Sequence, residues 1–445
     1  MTASQTLAAF AAGLRYEDIP APVIARAKAC IADTIAACTY GAQLPWSRIV
    51  IELALENSTA GDASILGTAH KVRAPFAALA NGATAHAFEL DSMCQPSVGA
   101  HPGAGLAVPG LAVAQAQRNS GRELITAFVA GCEVMYRIGD AAHHSSEKIG
   151  FHAPGLLGVY GGAITGGLLM KLDADRLAHA LGVAGSLTSG ILEFSRSGGM
   201  VKRLHLGRAA EAAITAAALA RDGFTGPAQV LEGKFGFLNV YCRDADLNKL
   251  TAGFRTTWHT LTTTLKCYAC HSTAHVPVTA ALAIKAQGVG GDDIESITVA
   301  GSEKMASHHN ITEPQEMSTA QYSAPFSVAL AFYRDPRDPG VFNDAALNDP
   351  AIRALTRKVK LEVRVPQAGD TTLASRVTVR LKNGREIAQD CQFFPGMPQR
   401  PLTEDELHAK FTALTGALAP AHASRLFDQC MTLEAVADIG TLQPA

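Results

Sequence analysis

The spacing of apolar residues predicts a chain that is helical over most of its first 245 positions. Apolar side chains recur at helical spacing, and glycine, proline or polar breaks separate the runs. Arg221, Asp222 and Gly223 end the last run, because glycine is a common residue just past a helix end. The pattern predicts helices over residues 23–37, 74–88, 123–142, 156–170, 175–187 and 208–220.

Near residue 260 the pattern changes from helical spacing to alternation. Strands are predicted over residues 294–300, 359–365, 377–381 and 386–391, and Asn383-Gly384 is typical of a hairpin turn. Thr403 and Glu406 have the spacing of a capping box, which predicts a final helix. The chain is therefore expected to be mainly α, with an all-helical domain over 1–261 and 399–445 and a smaller α/β domain over 262–398.

Composition narrows the class of protein. The chain has 445 residues, 48% of them hydrophobic and 18% charged, with a formal net charge of -2. This balance lacks the basic patch that nucleic acids or anionic membranes require, so neither is an expected partner. Nine scattered cysteines do not resemble a disulfide framework, and the first residues lack a secretory pattern. A cytoplasmic location is expected.

One segment has the composition of a membrane span. Residues 149–170 contain no Asp, Glu, Lys or Arg, and about 20 such residues can cross a bilayer. The segment is also rich in glycine and contains His152 and Pro154. These residues favour a buried helix that packs through small side chains.

The run from Lys266 to His275 contains the densest set of reactive side chains. Cys267, Cys270 and His271 fit the pattern for covalent haem attachment, and with His275 they could also hold zinc. Covalent haem attachment requires that the protein be exported. A zinc site would require all four ligands to come from one short segment, Cys267 to His275. In the purely structural alternative, the cysteines are small buried residues and His275 is a hydrogen-bonded histidine of the core. A third reading is an anion-binding catalytic loop carrying Lys266 and His271.

Three further segments carry a histidine or lysine where a loop meets a helix. The first is 81–109, in which the predicted helix places His86 and Glu89 on one face, Asp91 at its end and His101 at the next helix start. The others are Gly150-Phe151-His152 and the glycine-rich 198–205 loop, which carries Lys202. Helix starts attract anions, so the four segments together favour a polyanion site, although a capping network is the alternative for the first.

These stretches resemble the signature of the MmgE/PrpD family. The matching motifs are Asn81-Gly82-Ala83 with His86, Asp91 and His101-Pro102-Gly103, then Gly150-Phe151-His152, 202–210, 223–227, 231–233, Lys266 with His271 and His275, and 320–326. The resemblance implies a large all-helical domain, a smaller α/β lid, a homodimer and no metal or other cofactor. It also implies small di- or tricarboxylate substrates, as in 2-methylcitrate dehydratase, cis-aconitate decarboxylase and iminodisuccinate epimerase.

The resemblance also carries residue roles. It places the catalytic and substrate-binding histidines and lysines of a decarboxylase-like pocket at His101, His152, Lys202, Lys266 and His271. Around them the chain departs from the decarboxylase pattern at positions expected to contact substrate. Glu89, beside Asp91, stands for Asp, Met93 for a threonine, and Phe326 for a tyrosine. A substrate other than cis-aconitate is therefore compatible with the sequence.

The expected chemistry is proton transfer next to a carboxylate. Lysines 202 and 266 would hold substrate carboxylates, and His101 would move the proton, with His152 and His271 as donors or the opposing acid. Asp91 is expected to orient a histidine or cap a helix. Decarboxylation is placed ahead of dehydration, and an epimerase of the same family is the alternative. A haem or zinc protein and a non-catalytic carboxylate-binding protein are the alternatives from other classes.

Overall fold

The computed structural model describes residues 1–58, 60–94, 99–143 and 145–442, apart from the side chain of Arg196. Helices dominate it, as the apolar spacing predicts. In chain order they are α1 Ala3–Ala12, α2 Ala21–Ala42, α3 Pro45–Asn57, α4 Ala74–Ala85, α5 Val108–Gln117, α6 Gly121–Ala142, α7 Ser145–Lys148, α8 Ala153–Leu169, α9 Ala174–Gly185, α10 Phe194–Ser197, α11 Val201–Arg221, α12 Phe237–Val240, α13 Ser272–Lys285, α14 Glu303–His308, α15 Met317–Tyr322, α16 Ala324–Tyr333, α17 Asp344–Leu347, α18 Pro350–Thr356, α19 Glu404–Leu414 and α20 Pro420–Met431.

The strands form small sheets. They are β1 Ala63–Ser64, β2 Lys71–Val72, β3 Met93–Cys94, β4 Thr263–Thr264, β5 Ile294–Gly301, β6 Val359–Val363, β7 Ser375–Leu381 and β8 Glu386–Cys391. The first four pair as β1–β2 and β3–β4, and the last four form one sheet in the order β6-β5-β7-β8. The mainly α fold with a smaller α/β region, predicted from the sequence, is confirmed.

The chain divides into two compact units. The helical unit comprises Met1–Ala87, Asp91–Thr264 and Leu407–Ala445, and the α/β unit comprises Phe88–Leu90 and Leu265–Glu406. The short segment 88–90 thus belongs to the α/β unit although its neighbours in sequence belong to the helical unit.

Close approach of helix backbones shapes the helical unit. A Cβ added to Gly82 on α4 would lie 2.6 Å from the carbonyl oxygen of Leu206, and one on Gly207 of α11 would lie 2.4 Å from that of Leu79. Any larger residue at either position would push the two helices apart. This contact fixes the end of α4, which carries His86, against the start of α11, which carries Lys202.

In the α/β unit the sheet packs against helices on one face. β5 alternates between buried and more exposed positions, and Ile294, Ile297 and Val299 face the core. β6 runs parallel to β5, whereas β7 is antiparallel to it and β8 to β7. The Asn383-Gly384 turn joins β7 to β8, as predicted, and Gly384 takes a positive φ of 86°.

Helix α8 covers most of the uncharged segment 149–170. Its residues are buried inside the helical unit, including Leu156 and Tyr160. Throughout the described residues, none of the helices combines the length and the apolar character needed to cross a bilayer. The prediction of a buried helix is confirmed.

Candidate active site

Asp91 is the centre of a buried histidine cluster in the helical unit. Its Oδ2 accepts a hydrogen bond from Nδ1 of His101 at 2.6 Å and a second from Nδ1 of His86 at 2.9 Å. The carboxyl is fully buried, and the two imidazole rings meet edge to face with centroids 5.1 Å apart. One carboxylate oxygen therefore sets the tautomer of both rings, because each ring must carry its hydrogen on Nδ1 to donate.

The chain reaches Asp91 through a turn. Helix α4 ends at Ala85 and His86 is its C-cap, so the prediction of a helix to residue 88 is wrong. Glu89 takes a left-handed backbone with φ of 58°, which few residues other than glycine adopt. This conformation breaks the helical face that was expected to carry His86 and Glu89. The turn brings the carboxylate of Asp91 to the imidazole ring of His86.

His101 lies just before the next helical segment, as predicted. A π-helical turn over Gly103–Ala107 leads into α5, and its first amide, that of Gly103, donates to Oγ of Ser92 at 3.0 Å. The side chain of His101 is 13% exposed, compared with 1% for His86. Of the two rings bound to Asp91, only His101 is therefore open to a substrate.

His152 joins this cluster from the start of α8, where it is the N-cap residue. Its ring lies 5.9 Å from that of His86, and its Nδ1 lies 3.0 Å from Nδ1 of His205 on α11. We call Asp91 and the histidines 86, 101, 152 and 205 the imidazole cluster. Three segments that are distant in sequence thus bring their histidines together in the helical unit.

Lys202 belongs to the first turn of α11. The helix begins at Val201, so the prediction that Lys202 lies on a loop before a helix at 208 is wrong. Glycines 198 and 199 precede the helix and keep positive φ values. Burial is the main cause that lowers the pKa of His86 and of His205, and the positive charge of Lys202 adds to it in both cases. Lys202 therefore lies close enough to act on the imidazole cluster.

Burial and positive charge keep the buried imidazoles neutral. Desolvation is the main cause that lowers the pKa of His86 to about 3, opposed by Asp91 and assisted by Lys202. Desolvation, followed by the charges of His86 and His205, holds the pKa of His152 well below its usual value. Both rings are neutral at pH 7, where a neutral imidazole can donate from one nitrogen and accept at the other.

We expect these buried histidines to make the fold sensitive to acid. The unfolded chain binds a proton on each histidine near pH 6.5, and the folded chain resists it until a much lower pH. The free energy of unfolding should therefore fall as pH drops below about 6.5, by up to about 1.4 kcal/mol per pH unit for each such histidine. Urea unfolding between pH 7.5 and 5 measures this slope.

The variant H86Q should flatten that slope, because glutamine does not titrate. The matched variant H70Q removes an exposed histidine and should leave the slope as it is. Equal slopes in the wild type and H86Q would contradict the assignment of a neutral buried imidazole at His86.

In the α/β unit, Lys266 forms a buried ion pair. Its Nζ lies 3.3 Å from Oε2 of Glu89, and both side chains are less than a tenth exposed. The amide of Gln321 holds segment 88–90 in place by donating to the carbonyl oxygens of Phe88 at 3.2 Å and Ala269 at 2.9 Å. A buried ammonium is costly without a partner, and Glu89 supplies that partner here.

His271 lies at the start of α13 and stacks on a second histidine. Its Nδ1 accepts a hydrogen bond from the backbone amide of Thr273, so it caps the helix. The ring of His309 stacks on it with centroids 4.0 Å apart, and Tyr322 packs against both. His309 donates from Nδ1 to the carbonyl oxygen of Tyr322 at 3.0 Å. The Thr273 amide at Nδ1 and the stacked ring of His309 on one face thus fix the orientation of the His271 ring.

The two remaining residues expected to contact substrate belong to different units. Met93 is half-buried on β3 of the helical unit, opposite Thr264 on β4. Phe326 lies on α16 of the α/β unit, is 1% exposed and packs near Phe342 with ring centroids 6.4 Å apart. Neither residue bears a polar side chain, so neither replaces the hydroxyl expected there.

The cysteines of the 266–275 run do not form a metal knuckle. Sγ of Cys267 donates to the carbonyl oxygen of Pro395 at 2.7 Å, and Cys270 is fully buried. His275 is buried, and its Nε2 donates to the carbonyl oxygen of Cys270 at 3.1 Å. His275 is therefore a hydrogen-bonded histidine of the core, as the purely structural alternative predicted.

Replacing both cysteines with alanine should leave catalysis almost unchanged. We expect kcat of C267A/C270A within about threefold of wild type, with a lower melting temperature because Cys270 leaves a small cavity. Steady-state kinetics and a thermal melt check this. A colourless double variant with no detectable activity would point to chemistry at the thiols.

Over the described parts of the chain, one group of potential metal ligands lies within 4.8 Å of one another, and it is His86, Asp91 and His101. In that group both Nδ1 hydrogens already lie on the Asp91 carboxylate. A metal bound at the three atoms that now meet would have to displace both hydrogens, whereas Nε2 of each ring keeps its lone pair. The contacts of Asp91 with the two rings fit a hydrogen-bonded proton-transfer group.

Three histidines of these groups were not among the sequence-predicted site residues. His205 stands three residues after Lys202, which is one helical turn, and the wrong helix start concealed that spacing. His86 was noticed for its helical face but its link to Asp91 needs the left-handed turn at Glu89. His309 comes from a distant loop, and no local spacing in the sequence connects it with His271.

Comparison with known proteins gives a consistent family. The model of the MmgE/PrpD N-terminal domain matches residues 5–250, and that of the C-terminal domain matches residues 268–433. A cis-aconitate decarboxylase of Aspergillus terreus is 28% identical over 97% of this chain and 93% of its own length. The cis-aconitate decarboxylase of Homo sapiens is 26% identical over 90% and 85%, and that of Mus musculus 25% over 92% and 86%.

A mainly α fold with a buried carboxylate–imidazole cluster defines a class of enzyme suited to acid–base chemistry. The curated relatives are decarboxylases, which agrees with the lyase class predicted from the sequence. The chain belongs to the MmgE/PrpD family. The homodimer and the cytoplasmic location stay predictions.

Proposed function

We propose that the chain is a cofactor-independent decarboxylase of a small di- or tricarboxylate, with cis-aconitate or a close analogue as substrate. The observation that carries the proposal is the short contact between Asp91 and His101. It gives a partly exposed imidazole a buried carboxylate partner, which is the arrangement that general acid–base catalysis requires. The names of relatives that match almost the whole chain support the reaction type.

His101 is the proton carrier in this proposal. Because the Nδ1 hydrogen of His101 bonds to Asp91, Nε2 is the nitrogen that can exchange a proton with the substrate. A proton gained on Nε2 makes an imidazolium that the Asp91 carboxylate stabilises. His86 shares the same carboxylate, but its pKa of about 3 and its burial make it a structural partner.

Lysines 202 and 266 hold the substrate carboxylates. Lys202 supplies positive charge beside the imidazole cluster, as its effect on the pKa of His86 indicates. Lys266 is already paired with Glu89, so the pair presents little net charge until a substrate carboxylate competes for the ammonium. Glu89 would then select against a substrate that places an extra negative charge there.

The reaction breaks one carbon–carbon bond and forms one carbon–hydrogen bond. One carboxylate leaves as carbon dioxide, and the electron pair of the broken bond stays on the carbon skeleton. A neighbouring carboxylate held by lysine stabilises that carbanion. His101 delivers the proton from Nε2 and recovers one from solvent, while His152 and His271 donate hydrogen bonds to the substrate.

Product analysis tests the proposal. Purified protein is incubated with cis-aconitate, 2-methylcitrate and shorter dicarboxylates in deuterated water, and NMR follows each acid. Decarboxylation should release carbon dioxide and place one deuterium at the carbon that is protonated. The variant H101A is the matched control for background turnover.

Other outcomes assign other reactions. Loss of water without carbon dioxide identifies a dehydratase, and deuterium exchange with no loss of either identifies an epimerase. The epimerase is favoured by Met93 and Phe326, which bring no hydroxyl where the decarboxylase pattern has one. A wild-type protein that leaves every polycarboxylate unchanged would overturn the proposal.

A further inference from the structure

His152 and His205 form a pair that the reaction proposed above does not itself explain. Their Nδ1 atoms lie 3.0 Å apart, which is hydrogen-bond distance. Two imidazole nitrogens can bond only if one carries the hydrogen and the other a lone pair. The pair therefore couples the tautomer of His152 to that of His205.

The surroundings hold this pair in place. Gly190, with φ of 125°, packs against the ring of His205. A Cβ at this position would lie 3.1 Å from Cγ and Nδ1 of that ring. The carbonyl oxygen of Gly190 also accepts a hydrogen bond from the backbone amide of His152 at 3.0 Å. Phe194 packs edge to face on both rings, with centroids 5.2 and 5.8 Å away. The backbone and an aromatic ring thus fix both imidazoles.

Each ring of the pair is neutral near pH 7 and so carries one hydrogen. Burial is the main cause that lowers the pKa of both rings, and the positive charge of Lys202 adds to it for His205. Two arrangements remain, and they differ in which nitrogen of His152 carries its hydrogen.

The neighbouring His86 decides between the two arrangements. Its hydrogen lies on Nδ1, toward Asp91, so its buried Nε2 carries a bare lone pair with no hydrogen-bond partner among the described residues. A second bare lone pair on Nε2 of His152, whose ring is 5.9 Å away, would add repulsion in a buried region. His205 is only half-buried, so its own Nε2 can accept a hydrogen bond from water.

We propose that His205 is a positioning residue that donates its Nδ1 hydrogen to Nδ1 of His152 and so keeps the hydrogen of His152 on Nε2. The inference rests on the proposed function, in which His152 donates a hydrogen bond to the substrate. With the opposite tautomer, His152 would present a lone pair to an anionic substrate and would repel it.

Three substitutions at His205 separate positioning from packing. Asparagine places an amide near the position of Nδ1, whereas glutamine places it near Nε2 and leucine has no polar group. H205N should keep kcat within about threefold of wild type, and H205Q and H205L should lower it by about 10- to 100-fold, as for other residues that orient a reacting group. KM should stay near the wild-type value in H205N and rise in H205Q and H205L, where part of the His152 population repels the substrate. Circular dichroism with a thermal melt checks that all three variants fold.

Nitrogen-15 NMR of histidine-labelled protein reads the tautomer without any turnover, and H152Q identifies the His152 signals. Wild type and H205N should show hydrogen on Nε2 of His152, and H205L should show a mixture. Hydrogen on Nδ1 of His152 in the wild type would overturn the inference, as would equal loss of kcat in H205N and H205L. A wild type with the expected tautomer but no decarboxylation would instead overturn the proposed function and leave the positioning role standing.

Discussion

Replacing His101 with alanine is expected to lower kcat by about 10²- to 10⁴-fold, because it removes the group that delivers the proton. KM should change much less, since the lysines hold the substrate carboxylates and His101 acts mainly in the transition state. The substitution removes a side chain that is 13% exposed, so the fold should tolerate it. Steady-state kinetics on the substrate found by product analysis measures the effect.

Two further variants give this result its meaning. H70A removes an exposed histidine of the same unit and should keep wild-type kinetics. H86A removes the other ring on Asp91, and its effect on kcat should be the smaller one because that ring is 1% exposed. A larger loss in H86A than in H101A, or full activity in H101A, would move the proton-transfer role away from His101.

The fold class was accessible from the sequence because each long helix carries its own signals. The predicted helix over 123–142 corresponds to Gly121–Ala142, which Ser120 and Glu123 begin with a capping box. Thr403 and Glu406 likewise begin α19 with reciprocal hydrogen bonds of 3.0 and 3.1 Å. The four strands of the larger sheet were predicted from β-rich or alternating runs, although β6 ends at Val363, two residues before the predicted end.

Helix ends next to the histidines were predicted less well. The helix to residue 88 ends at Ala85, and the helix from 208 begins at Val201. Both wrongly predicted helix ends lie next to residues of the imidazole cluster, His86 at the end of α4 and His205 near the start of α11. A left-handed glutamate contradicts local propensity, and packing in the folded chain stabilises it.

Asp91, His101 and His152 could be named from the sequence, but the contacts that they make could not. Asp91 was expected to orient a histidine, and it contacts two. His152 was expected at a helix start, but its partner His205 comes from 53 positions later in the chain. Such pairings depend on how α4, α8 and α11 pack, and spacing along one segment carries no information about it.

Substituting asparagine for Asp91 is expected to reduce kcat by about 10²- to 10⁴-fold while the shape of the side chain is kept. The Oδ2 position now accepts from two Nδ1 hydrogens. An asparagine that turns its carbonyl oxygen there removes the negative charge that stabilises the imidazolium. One that turns its NH2 group there forces both rings into the opposite tautomer and takes the lone pair from Nε2 of His101. Either way the proton carrier fails.

The matched control for this variant is D33N. Asp33 is also a buried aspartate of the helical unit, and it accepts a charged hydrogen bond from Lys410. D33N should lose stability through the unpaired ammonium but keep kcat, whereas D91N should lose kcat. Nitrogen-15 NMR of His101 supplies the second readout, because D91N should change the nitrogen chemical shifts of that ring. If D91N and D33N lowered kcat equally, Asp91 would be a structural residue, and the proton-transfer role of the Asp91–His101 pair would have to be abandoned.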